Sequence, residues 1–117
     1  PAAMMLMGKN ATVTVCHTKT VNTAEIARNA DILVSAAGVL GSLTKEYVRP
    51  GQVVIDVSIN WDAEKPNAKG GKGAIAGDAK FEEVEPIVEA ITPVPGGVGS
   101  VTTSVLMKHV VEAAERA

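Results

Sequence analysis

Aromatic residues are almost missing from this chain: one Trp, one Tyr and one Phe, 3% of 117 residues. That scarcity removes the stacking platforms on which single-stranded bases are held. Positive charge is in short supply as well. Eleven Lys and Arg stand against 13 Asp and Glu, a formal net charge of -2 with no basic run, so no nucleic-acid partner is expected. No apolar run is long enough to cross a bilayer, and no membrane partner is expected. Cys16 stands alone, which excludes an internal disulfide and a cysteine-based zinc site. The His residues and scattered carboxylates show no metal-ligand spacing, so no metal is expected. Residues 1–7 (PAAMMLM) are apolar but short and lack the basic start of a secretory leader. These absences together point to a reducing, cytoplasmic compartment. Two further patterns are missing: a Ser-His-Asp nucleophile arrangement and a G-x-G-x-x-G fingerprint.

What remains is an ordinary globular composition, 46% apolar and 21% charged, in a length that suits one domain. Pro1 begins what reads as a helix already under way. Residues 11–16 (ATVTVC) alternate Thr with apolar side chains and predict a strand. Asn22 with Glu25 three positions on predicts a capped helix start, running through Ile26 to about Asn29. Residues 31–37 (DILVSAA) and 52–57 (QVVIDV) are nearly continuous apolar runs, the pattern of strands buried on both faces of a parallel sheet. Between them residues 44–48 form a short helical turn. Residues 60–73, with Pro66, Gly70, Gly71 and Gly73, predict an exposed loop, and residues 73–78 a short strand. Residues 81–89 predict a short helix broken near Pro86, and residues 90–94 a last strand. From Ser100 to Arg116, apolar residues recur at helical spacing. Alternating strands and helices predict an α/β fold: Rossmann-like, doubly wound, with a mainly parallel sheet and helices on both faces.

In such sheets ligands bind beyond the carboxyl ends of the strands. Four segments meet that description. The first is His17, Thr18 and Lys19, which offers an imidazole, a hydroxyl and a cation but no carboxylate. A ribose 2′-hydroxyl calls for an acid here, whereas a 2′-phosphate suits a base, so the segment favours NADP over NAD; a solvated polar loop is the plainer alternative. The second is Gly38, whose bare backbone admits a pyrophosphate or a ribose, or simply turns the chain. The third is Ser58, Ile59 and Asn60, where Ile59 covers a flat ring or packs as core. The fourth is Pro95, Gly96, Gly97, Val98 and Gly99, which opens onto the C-terminal helix and aims its N–H groups at whatever sits there. Asp56, inside a strand, reads as a paired group beside the site, and His109 as a packed or surface residue of the last helix. No residue qualifies as a general acid or base.

Five stretches carry a family resemblance: ATVTVCHTKT at 11–20, NADILVSAAG at 29–38, VRPGQVVIDVSIN at 48–60, GD at 77–78 and ITPVPGGVG at 91–99. In order and spacing they resemble the bifunctional methylenetetrahydrofolate dehydrogenase/methenyltetrahydrofolate cyclohydrolase (FolD) family over essentially the whole chain. The resemblance implies the nucleotide-binding half of a two-domain, homodimeric enzyme of one-carbon metabolism that uses NADP and a tetrahydrofolate derivative. It places Thr18 at the adenosine phosphate, Ile59 and Thr102 at the cofactor, and residues 95–99 against folate and nicotinamide. Ser58 stands where the family has Gly and is expected to crowd the site. Ser100 stands where the family has Pro, and the helix is expected to survive it. The family's G-R-S-x-x-V-G-x-P turn would end near Pro1; its first residues, the strand before it and the folate domain with its catalytic Lys and Tyr fall outside residues 1–117. The sequence therefore reads as an N-terminally truncated NAD(P)-binding domain, inactive alone and expected to be ordered only beside its own upstream sequence, a partner copy or an added strand. The alternative is a non-catalytic nucleotide-binding or dimerisation module.

Overall fold

The computed structural model describes residues 1–117. In chain order the elements are α1 (Ala2–Gly8), α2 (Thr23–Arg28), β1 (Ile32–Ser35), a 3-10 turn (Lys45–Tyr47), β2 (Val53–Asp56), β3 (Asn60–Pro66), β4 (Lys72–Ala76), α3 (Phe81–Val84), β5 (Ala90–Ile91) and α4 (Val98–Arg116). Three strands form a parallel sheet in the order β1-β2-β5, with Ile32 opposite Val53 and Val53 opposite Ala90. The class is α/β with a mainly parallel sheet, as expected from the alternation. The core is small. Leu43, Val48, Val54 and Val84 are its buried centre, with Leu33, Tyr47, Ile87, Val88 and Ile91 packed around them.

Polar groups finish the base of the sheet. Gln52 is fully buried, and its Nε2 donates to the carbonyls of Ala27 (2.7 Å) and Ala30 (2.9 Å). Arg49 Nε donates to the Arg28 carbonyl at 2.7 Å. These bonds give side-chain partners to carbonyls at and just beyond the end of α2, where helical acceptors run out. No buried side-chain nitrogen or oxygen is without a partner.

Several sequence expectations are corrected. Residues 11–16 form no strand. They leave α1 through a Schellman ending, in which Asn10 has φ 68° and the Ala11 N–H donates to the Leu6 carbonyl at 3.1 Å. Beyond it the segment joins no ladder, and a strand exists only against a paired neighbour. Asn22 does not cap α2 with its side chain; it adopts φ 58°, ψ 40°, a left-handed conformation that Asn tolerates. Strand β1 is not buried on both faces: Ile32 is 59% and Val34 46% exposed, while Leu33 faces the core. Residues 60–73 are not a loop. They form most of an antiparallel hairpin, β3 with β4, in which Trp61 opposes Ile75.

Helices α1 and α4 bury no residue. Their apolar side chains, among them Met5, Leu6, Val101 and Leu106, stand in solvent. The radius of gyration is accordingly 16.3 Å, against roughly 13 Å for a compact chain of this length. No helix is long and apolar enough to cross a membrane.

With so few buried residues, each carries a large share of the stability. Leu43→Ala is expected to cost about 2–5 kcal/mol, read as a lowered midpoint in urea or thermal unfolding. A substitution at the largely solvated Met5 should leave that midpoint within experimental scatter.

Candidate functional site

The carboxyl ends of β1 and β2 are drawn together by one side chain. Asp78 is fully buried, and its carboxylate accepts six hydrogen bonds. Oδ2 takes the Ser35 hydroxyl (2.9 Å), the Ser58 hydroxyl (2.8 Å) and the N–H groups of Ala37 (2.8 Å) and Gly38 (3.3 Å). Oδ1 takes the Val39 N–H and the Asn60 amide at 2.9 and 3.1 Å. Three successive backbone N–H groups thus curl round an anion, a concavity that elsewhere receives phosphate. The backbone sets Asp78 in place: Leu43 and Ala79 form a bridge in which the Leu43 N–H donates to the Asp78 carbonyl at 3.1 Å. Burial pushes the Asp78 carboxyl up. The bonds from Ser58, Asn60, Ser35 and Ala37 outweigh that penalty and hold it below the ordinary carboxylate value.

A second carboxylate braces the neighbouring wall. Asp56, 2% exposed, accepts the N–H groups of Ser58 (3.2 Å) and Ala79 (2.9 Å), and its own N–H donates to the Thr92 hydroxyl at 2.9 Å. It is the paired group that the sequence suggested. Gly77 passes so close that a Cβ there would fall on the Asp56 carboxylate. Gly97 has the same constraint, since a Cβ would strike the Pro93 carbonyl.

Between these walls lies a cavity of about 620 Å³, lined by Asp56 to Ile59, Ile75, Pro93 to Ser100, Thr102 and Thr103. It is of the size and mixed character usual for small-molecule sites. Helix α4 begins at its edge with no side-chain cap, so the first N–H groups and the positive end of the dipole lie at the cavity. Thr102 turns its hydroxyl back onto the Val98 carbonyl at 3.0 Å.

Of the residues singled out in the sequence, Ile59, Pro95, Gly96, Gly97, Val98, Gly99 and Thr102 all line this cavity. Gly38 is beside it through a 3.2 Å bond from its N–H to the Ser58 hydroxyl. That N–H is therefore engaged, and only the bare Cα side of Gly38 is open. His17, Thr18 and Lys19 are not among the lining residues. They form an exposed turn of their own, closed by the His17 N–H on the Thr20 hydroxyl (2.9 Å) and the Lys19 N–H on His17 Nδ1 (3.1 Å). Ser58 directs its hydroxyl at Asp78 rather than crowding the cavity. Ser100 sustains the helix, donating its N–H to the Gly97 carbonyl at 3.1 Å. His109 is exposed. Nowhere do three or more His, Cys, Asp or Glu side chains gather as metal ligands would.

The cavity thus lies at the carboxyl end of β2, where the turn of residues 93–99 and the start of α4 meet it. The family described as tetrahydrofolate dehydrogenase/cyclohydrolase, NAD(P)-binding domain, matches residues 1–117. The chain belongs to this family. It is 55% identical over 115 residues to the bifunctional protein FolD of Carboxydothermus hydrogenoformans, covering 98% of this chain and 38% of that protein. A FolD of Rhizobium johnstonii is 49% identical over 116 residues, with 99% and 38% covered. Among solved structures, the Trypanosoma brucei methylenetetrahydrofolate dehydrogenase-cyclohydrolase, complexed with NADP cofactor and inhibitor, superposes with TM-score 0.83 at 39% identity, over 98% of this chain and 40% of that one. The Thermoplasma acidophilum enzyme gives 0.78 at 46% identity, over 96% and 38%. The chain thus spans somewhat over a third of the length of these relatives.

In the sequence, Gly77 and Asp78 stand out only as part of a motif. The signal was there: a lone acid directly after the apolar run AIAG, where a solvated side chain has no place. Its folded-state pKa is lowered, so its contribution to stability is present above the ordinary carboxylate value and lost as pH falls through the lowered one. Thermal midpoints measured downward from pH 6 should drop steeply below about pH 4. Asp78→Asn should start lower at pH 6 and flatten that descent. Gly77→Ala should lower the midpoint at every pH, since the displaced group is Asp56.

Proposed function

We propose that this chain forms the NADP-binding side of a 5,10-methylenetetrahydrofolate dehydrogenase and 5,10-methenyltetrahydrofolate cyclohydrolase. The observation that carries the reading is the cavity in which Ile59, residues 95–99 and Thr102 converge at the uncapped start of α4. Ile59, Gly38 and Thr102 would hold NADP along this edge, where it would supply a hydride acceptor for the one-carbon bridge of the folate. In the second reaction, water would add to the resulting methenyl carbon and lose one proton; the bond from that carbon to N5 then breaks, N5 takes the other proton, and 10-formyltetrahydrofolate remains.

The residues of this chain bind and orient. Ile59 offers an apolar surface to the nicotinamide ring from the end of β2. Gly38 lets the ribose and pyrophosphate lie against bare backbone. Thr102, one turn into α4, flanks the nicotinamide. Pro95, Gly96, Gly97, Val98 and Gly99 keep side chains out of the space where the folate meets the ring. His17, Thr18 and Lys19 receive the adenosine 2′-phosphate, Thr18 by hydrogen bond and Lys19 by charge. No side chain in the cavity is placed as a general acid or base, and that work is assigned to the folate-binding part of a longer enzyme. A homodimer in the cytoplasm completes the proposal. The open face of β1 and the solvated apolar side chains of α1 and α4 support a surface made for partners.

The test is a calorimetric titration of the chain with NADP and with NAD. NADP should bind at least tenfold more tightly. Lys19→Glu should abolish that preference by weakening NADP about tenfold or more, roughly 1.4 kcal/mol, while leaving NAD nearly unchanged. Tighter binding of NAD by the unaltered chain overturns the assignment of residues 17–19.

A further inference from the structure

The hairpin β3–β4 and the residue 92–99 turn belong to different sheets or to none, yet they form facing walls of one cavity. One hydrogen bond joins them. Lys65 Nζ donates to the Val94 carbonyl at 3.0 Å and to the Ile75 carbonyl at 2.7 Å. Ile75 and Val94 both line the cavity, so the ammonium bridges its two sides from behind. Lys65 reaches that position because the hairpin register is irregular there. Asp62 pairs with Ala74 and Pro66 with Lys72, leaving three residues of β3 opposite a single residue of β4. Such an irregularity bends a strand and re-aims its side chains. The neighbouring Glu64 is paired with Lys72 at 2.9 Å, whereas Lys65 has no carboxylate within ion-pair distance. Its charge is answered by carbonyl dipoles alone, and a charged donor makes such bonds stronger than neutral ones.

We propose that Lys65 is a positioning residue: its ammonium clasps the Ile75 and Val94 carbonyls and so fixes the width of the cavity between the hairpin and the residue 92–99 turn. The side chain touches neither cofactor nor folate. It acts through Val94, which leads directly into Pro95, Gly96 and Gly97. The connection to nicotinamide binding rests on the function proposed above; the clasp itself does not.

Two variants separate the clasp from simple loss of stability. Lys65→Met keeps the length and removes the donor, and Lys65→Arg restores donors to the same place. In the free chain, NMR order parameters of the backbone amides at Val94 and residues 96–99 should fall in Lys65→Met from the rigid range, about 0.85, to below about 0.6, with those of β1 and β2 unchanged. Lys65→Arg should restore them. With ligands, Lys65→Met should weaken NADP about tenfold but leave adenosine 2′,5′-bisphosphate, which lacks the nicotinamide half, bound as before. Unchanged order parameters at these residues overturn the proposal. So does a fall throughout the chain accompanied by equal weakening of both ligands, which marks general destabilisation. If the unaltered chain binds neither ligand, the cofactor reading fails while the order parameters still decide the clasp.

Discussion

The buried carboxylate of Asp78 is the constraint on which the ligand-facing edge depends. A charged group without exposure is tolerated only when its oxygens are fully engaged, and here the donors come from two segments, residues 35–39 and 58–60, distant from Asp78 in sequence. Each donor is thereby fixed relative to the others. The residue 37–39 backbone cannot shift without unpairing an amide from an anion, and the residue 58–60 segment cannot shift without unpairing Ser58 and Asn60. The edge is consequently shaped before any ligand arrives, which lowers the ordering cost of binding. Asp56 does the same for the adjoining wall, linking β2 to Thr92 and to the backbone at Ala79.

This bracing sits on a thin foundation. Only 11 of 117 residues are buried, and the apolar centre consists of four side chains. Polar tethers carry much of what packing would ordinarily do: Gln52 and Arg49 at one end of the sheet, Asp56 and Asp78 at the other. The parallel pairing of β1 with β2 defines the axis between these two ends. Helices α1 and α4 contribute no buried surface to it.

The parts of this architecture that were legible in the sequence are those whose signal is local. The β-branched runs at Ile32–Ser35 and Val53–Asp56 declare strands because both lie in the sheet whatever surrounds it. The long helix beginning at Val98 is equally plain, and the glycines before it mark the cavity edge. The segment at residues 11–16 misled because strand propensity describes one chain while a ladder needs two. The hairpin was hidden by Pro66 and its glycines, and because both its faces are largely solvated its alternation is faint. Asp78 was undervalued for another reason. Its partners at Ser35 and Val39 lie about forty residues upstream, a relation that no window along the sequence contains.

Ser100 alters the entry to α4 in a way that reaches the cavity. Where the resemblance leads one to expect a proline, this chain has an N–H that closes onto the Gly97 carbonyl. A pyrrolidine ring would stiffen that corner permanently, through its own covalent geometry. A single hydrogen bond stiffens it conditionally. The corner between the glycines and the helix is thus held by one non-covalent contact where a ring would have locked it.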